Sequence, residues 1–127
     1  MRIAIDSNRY DDLITGSRDV AEIVEIADAV YLPFVVVGEL RAGFATGKRQ
    51  AENERLLRRF LMKDDVEILF ADAQTTHHYA SAYAQLRRQG TPIPTNDLWI
   101  AALVLQHDLS LCTRDRHFDK LAQIPRV

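Results

Sequence analysis

Pro94-Thr95-Asn96-Asp97-Leu98-Trp99-Ile100-Ala101-Ala102 sets the arrangement of the rest of the chain. Pro94 and Asn96 are helix-starting residues, and Leu98, Ala101, Ala102 and Leu105 follow at helical spacing. The opposite side is apolar too, with Trp99, Ile100, Leu103 and Val104. A helix that is hydrophobic all round is a buried helix, so the Asp97 carboxylate in its first turn must find hydrogen-bond partners or a cation. Alone, Asp97 has a plainer reading, an acid favoured by the positive end of the helix dipole, and that is the commoner case for a single Asp.

Working outward from this helix, strands and helices alternate. Downstream, Leu109-Ser110-Leu111-Cys112-Thr113 is a short strand running into Arg114-Asp115-Arg116-His117, and His117, Phe118 and Leu121 suit a small final helix. Upstream, Thr76, Tyr79, Ala80, Tyr83 and Leu86 mark a long helix ended by Gly90, preceded by a strand at Val66–Phe70. Leu56, Leu57, Phe60 and Leu61 stripe a helix whose outer face carries Glu52, Glu54, Arg55, Arg58 and Arg59, a solvated face in the plainer reading. The segment Phe34–Leu40 is ambiguous: its β-branched residues favour strand, whereas Pro33 suits a helix start. Val30-Tyr31-Leu32 reads as a strand. Before it, Val20, Ile23, Val24 and Ala27 line a helix for which Asp19 and Glu22 resemble a capping box. At the N-terminus, Ile3-Ala4-Ile5 is a buried strand opening into a polar turn, Asp6-Ser7-Asn8, followed by a short helix from Tyr10 that Gly16 stops.

This alternation predicts an α/β sandwich with a mostly parallel sheet and right-handed crossovers. Ligands in such sheets bind beyond the carboxyl ends of the strands, where Asp6 and Asp115 fall. With 127 residues, 47% of them hydrophobic, residues 1–127 are expected to form a single domain. A net charge of −2 provides no global basic field, so a nucleic-acid partner would have to be gripped by local patches. The single cysteine, Cys112, precludes an internal disulfide and a cysteine zinc cluster, and suits the filling of a strand. No apolar run is long enough to span a bilayer, and Asp6 arrives too early for a signal peptide, so a cytoplasmic protein is expected.

Four acids occupy unusual places: Asp6 and Asp115 just past apolar strands, Glu39 inside an apolar run, and Asp97 at the start of a buried helix. Together with Ile5-Asp6-Ser7-Asn8, Gly38-Glu39-Leu40-Arg41-Ala42-Gly43, the Pro94–Ala102 stretch and Cys112-Thr113-Arg114-Asp115-Arg116-His117-Phe118, they resemble PIN-domain nucleases, most of all the VapC-type toxins of bacterial toxin–antitoxin systems. The resemblance covers essentially the whole chain. It implies a PIN-like three-layer sandwich and places Glu39 on a helix after the second strand. It also implies that Asp6, Glu39, Asp97 and Asp115 form the acidic metal-binding quartet, with Ser7, Asn8, Asn96 and Thr113 as the polar residues around it. Position 7 is often Thr in that family, and Ser7 keeps the hydroxyl.

Converging carboxylates repel one another unless a cation neutralises them, and all-oxygen donors favour a hard ion, Mg²⁺ or Mn²⁺. The implied activity is metal-dependent endoribonuclease cleavage of RNA. Arg9, Arg41, Lys48, Arg49, Arg114 and Arg116 are the candidate phosphate contacts, each equally readable as a solvated charge or a salt bridge. Tyr10 and Phe44 are candidates for base stacking. The resemblance further implies a small antitoxin partner held in a groove beside the active site, and a homodimer.

The main rival is a receiver-type Mg²⁺-binding signalling domain, which would want adjacent acids after the first strand and a lysine at a late strand end. A haloacid-type phosphatase would want an acid where Asn8 stands. A PIN fold that only binds, without catalysis, is the third reading, and the intact quartet argues against it. His77 and His78 are neighbours rather than a turn apart and make no ligand pair from one helix face. His117 could touch phosphate or pack beside Phe118.

Overall fold

The computed structural model describes residues 1–127. Four strands, β1 (Arg2–Ile5), β2 (Ala29–Pro33), β3 (Val66–Leu69) and β4 (Ser110–Cys112), form one sheet in the order β3-β2-β1-β4, with every pairing parallel. Between them run α1 (Ser7–Ile14), α2 (Arg18–Ile26), α3 (Phe34–Thr46), α4 (Gln50–Leu61), α5 (Ala73–Gln89) and α6 (Thr95–Gln106), and a 3₁₀ turn over Arg116–Lys120 follows β4. Parallel strands need crossovers, and right-handed ones fix the layers. The chain steps outward from β1 to β2 to β3, then returns past β1 to β4, so α1–α4 and α5–α6 lie on opposite faces. Ile3, Ala4 and Ile5 are accordingly fully buried although successive side chains point to opposite faces.

The reversal of direction at β1 opens a crevice above the carboxyl ends of β1 and β4. Ile5 pairs with Cys112, and the Asp6 amide donates to the Cys112 carbonyl at 3.0 Å, so Asp6 and Thr113 emerge side by side. Cys112 is fully buried in β4, as its strand position predicts.

α6 is the buried helix expected from its composition, with seven buried residues, Asp97 among them. The ambiguous segment after Pro33 is helical. Its β-branched residues cost helix propensity, but Val36, Val37 and Leu40 bury against the core, and that packing outweighs a weak local preference. Two local expectations fail. Ser7 and Asn8 are not a turn: they open α1, because the Asp6 side chain accepts the Ser7 amide and caps the helix there. Asp19 and Glu22 form no capping box. Ser17 precedes α2 without a side-chain cap, its hydroxyl donates to Asp19, and Asp19 turns away to Arg9.

Candidate active site

Asp6 leaves β1 with both carboxylate oxygens occupied. Oδ1 accepts the Ser7 amide at 2.8 Å, while Oδ2 accepts the Thr113 hydroxyl at 2.7 Å and the Asn8 amide at 3.3 Å. Asn8 also donates to Thr113 Oγ1 at 3.3 Å, and its own Oδ1 accepts the Arg114 amide at 3.0 Å. Thr113 Oγ1 in turn accepts the Asp115 amide at 3.0 Å. This lattice ties the end of β1 to the end of β4, far apart in the chain, and fixes the Asp6 and Asp115 backbones relative to each other. Asn8 donates and accepts at once, which an aspartate in its place would not do.

Asp97 and Asp115 approach from α6 and from the loop after β4. One ligand atom each from Asp97, Asp115 and His117 lies within 4.8 Å of the others. Two carboxylates at that separation repel by about 3.5 kcal/mol at an effective dielectric of about 20. His117 sits between them, with Nδ1 2.7 Å from Asp97 Oδ2 and 3.0 Å from Asp115 Oδ1. Its backbone amide donates to Asp115 Oδ1 at 2.9 Å, so Asp115 caps the turn that carries the imidazole.

Glu39 faces the cluster from α3, and neither it nor Asp6 belongs to the group gathered within 4.8 Å. Its Oε1 is buried and has no hydrogen-bond partner. Burial pushes the Glu39 carboxyl above the ordinary range, the charge of Asp6 pushes it further, the Asn96 amide opposes this, and Asp97 and Asp115 add smaller upward pushes. Asp97 is likewise raised, chiefly by burial. The His117 side chain lowers it, while Asp115 and Asp6 raise it. Glu39 and Asp97 therefore both feel the charges of Asp6 and Asp115, and no lysine or arginine side chain is paired with any of the four.

The polar residues expected around the quartet divide by role. Asn8 and Thr113 bond directly to Asp6, Asn96 lies against Glu39, and Ser7 contributes its backbone amide to Asp6 and helps line a cavity of about 320 Å³ beside Glu39. Phe44 lines that cavity, whereas Tyr10 is buried against Phe60 and is no stacking surface.

The predicted phosphate contacts fare unevenly. Arg9 is buried, paired with Asp12 at 3.0 Å and Asp19 at 2.7 Å, so it works as a clamp between α1 and α2 and not as a surface cation. Arg41 forms a two-bond pair with Glu54, and Arg114 does the same with Asp12. Lys48 and Arg49 are exposed and take part in no ion pair, and Arg116 makes only a 3.8 Å approach to Asp119. For His117 the sequence suggests phosphate contact or packing beside Phe118, and not the place between Asp97 and Asp115 that it takes. The only signal for that place is its position two residues after Asp115.

Residues 5–124 match the PIN domain. The chain belongs to the PIN-domain family. Among its relatives, it is 36% identical over 92 residues to the plasmid stability protein StbB of Pseudomonas syringae pv. tomato, a match covering 69% of this chain and 66% of that one. It is 30% identical over 121 residues to the VapC ribonuclease Y4jK of Sinorhizobium fredii, covering 89% and 86%. Among solved structures it superposes on VapBC-1 from nontypeable Haemophilus influenzae with a TM-score of 0.87 and 25% identity, over 100% of this chain and 97% of that one. Membership of the PIN family displaces the receiver-type alternative, and Asn8, engaged as donor and acceptor, shows why no acid is needed beside Asp6. PIN ribonucleases are generally divalent-metal dependent, and this PIN domain has an acidic group suited to such an ion. No helix of the chain is long and apolar enough to cross a membrane.

Proposed function

We propose that this PIN domain, read as one unit over residues 1–127, is an endoribonuclease and the toxin of a toxin–antitoxin pair, with Asp6, Glu39, Asp97 and Asp115 holding Mg²⁺ or Mn²⁺. The observation that carries the reading is the buried, partnerless Glu39 oxygen among three further carboxylates, with no lysine or arginine to balance them. A site of this kind is costly unless a cation completes it, and its donors are the oxygens that hard divalent ions prefer. The names of the relatives, a VapC ribonuclease and a plasmid stability protein, support the same activity and context.

When bound, such an ion acidifies a water and stabilises charge on the phosphodiester oxygens during in-line displacement. The chain's own residues do the rest. Thr113 and Asn8 hold the Asp6 carboxylate in one orientation, and α6 presents Asp97 from a rigid, buried first turn. Asn96 steadies Glu39 in its charged form. Phe44 offers a ring beside the cavity at Glu39, and Lys48, Arg49 and Arg116 are the cations free to meet RNA phosphates.

For the antitoxin, which the resemblance places in a groove beside the active site, the candidate is an apolar groove of about 690 Å³ between α1, α2 and α4. It is lined by Leu13, Ile14, Val24, Leu56 and Phe60, bordered by Arg59, Lys63, Glu25 and Asp65, and touches none of the four acids. A homodimer, resting on the family resemblance alone, and a cytoplasmic place of action complete the proposal. The test is to map new RNA 5′ ends in cells after brief expression of the wild type and of Asp97→Asn. Discrete sites present only with the wild type are expected. Identical 5′-end profiles for the two proteins would refute the proposal.

A further inference from the structure

We infer that His117 is a ligand of the metal site, contributing an imidazole nitrogen to a carboxylate cluster and biasing it towards Mn²⁺ and other transition ions over Mg²⁺. The inference rests on the proposed metal site and extends it by a donor of different chemistry. On an octahedral ion with donors at about 2.1 Å, adjacent donor atoms are about 3.0 Å apart. Nδ1 of His117 lies 2.7 Å from Asp97 Oδ2 and 3.0 Å from Asp115 Oδ1, the separations of neighbouring ligands. One ligand atom each from Asp97, Asp115 and His117 lies within 4.8 Å of the others, so the three donors face one small space. An acid cluster alone would not single out a nitrogen. Here the imidazole is aimed between two carboxylates by a turn that Asp115 itself caps, and the Glu39 oxygen nearby lacks any partner.

Ligation through Nδ1 uses the tautomer with hydrogen on Nε2, and the side chain is 43% exposed, so water can accept that hydrogen. Mg²⁺ accepts nitrogen poorly and keeps its waters, whereas imidazole strengthens binding along the series from Mn²⁺ upward. The reading that competes is a hydrogen bond from His117 that merely orients Asp97.

The experiment is pulsed electron paramagnetic resonance of the protein loaded with Mn²⁺, alongside calorimetric titration with Mn²⁺ and with Mg²⁺, for the wild type, His117→Ala, His117→Asn and Asp97→Asn. The wild type should show ¹⁴N modulation from a bound imidazole, absent in both His117 variants. His117→Ala should lose at least about tenfold in Mn²⁺ affinity, a scale that even outer partners of metal ligands reach, with Mg²⁺ affinity changed less than about threefold. Being half exposed, position 117 tolerates truncation, and circular dichroism of the variants verifies it. Mn²⁺ bound without ¹⁴N modulation, or Mn²⁺ and Mg²⁺ weakened alike, overturns the inference and leaves the carboxylate site standing. Failure of the wild type to bind Mn²⁺, or full binding by Asp97→Asn, overturns the carboxylate site itself.

Discussion

Glu39→Gln should make the metal-free protein more stable while weakening its hold on metal. The substitution keeps shape and removes one charge from a site where Oε1 is buried without a donor and three carboxylates lie nearby. Because the folded-state pKa of Glu39 is raised, the native state binds more protons than the unfolded chain just above the ordinary glutamate range. Stability therefore falls as pH rises through that window. A buried group with an unmet hydrogen bond costs roughly 1–3 kcal/mol, and since Glu39 is only partly buried the lower end applies. A gain of about 1 kcal/mol raises the melting temperature of a chain this long by about 3–5 °C. Metal reverses the order, because an ion at a hundred times its Kd stabilises the wild type by about 2.7 kcal/mol, and the variant should gain less. Thermal unfolding in chelator and in Mn²⁺, repeated between about pH 4 and pH 8, reads all of this. A Glu39→Gln protein that melts lower than wild type in chelator at neutral pH, or that keeps the wild-type loss of stability with rising pH, would refute the reasoning.

Two further sets of substitutions separate scaffold from substrate contact. Thr113→Val removes the hydroxyl that donates to Asp6 and accepts the Asp115 amide, and should cost roughly 1.5–3 kcal/mol in denaturant unfolding together with about ten- to hundredfold in metal affinity; Thr113→Ser should restore both. Arg9→Met should destabilise the fold by about 1–2 kcal/mol without altering the salt dependence of RNA binding, whereas Arg49→Ala should leave stability unchanged and reduce the slope of log affinity against log salt by about one, read by filter binding at several ionic strengths.

The contrast between Arg9 and Arg49 also marks where the chain is legible from its sequence. Strands such as Ile3-Ala4-Ile5 declare themselves because burial on both faces demands an unbroken apolar run, and Asp6, which ends this run, then falls at the sheet's carboxyl edge. α6 is readable for the same reason: an all-round apolar helix has only one place to go. α3 is not, since local propensity and tertiary burial disagree there and burial wins. Side-chain destinations are harder still. Arg9 meets Asp19 only once α1 and α2 are packed, and Asn8 meets Arg114 only once β1 and β4 pair, so neither partnership has a local signature. His117 stays hidden because its aim depends on the turn that Asp115 caps, a geometry that spacing alone does not reveal.

The central claim is that Asp6, Glu39, Asp97 and Asp115 act together as the metal site of an RNA-cleaving enzyme. Its most direct measurement is the cleavage rate of purified single-stranded RNA by purified protein in Mn²⁺, in chelator, and with Asp97→Asn. Cleavage should stop in chelator, return on adding Mn²⁺, and fall at least about 100-fold in the variant. Cleavage at the wild-type rate by Asp97→Asn, or cleavage that continues unchanged in chelator, would contradict it.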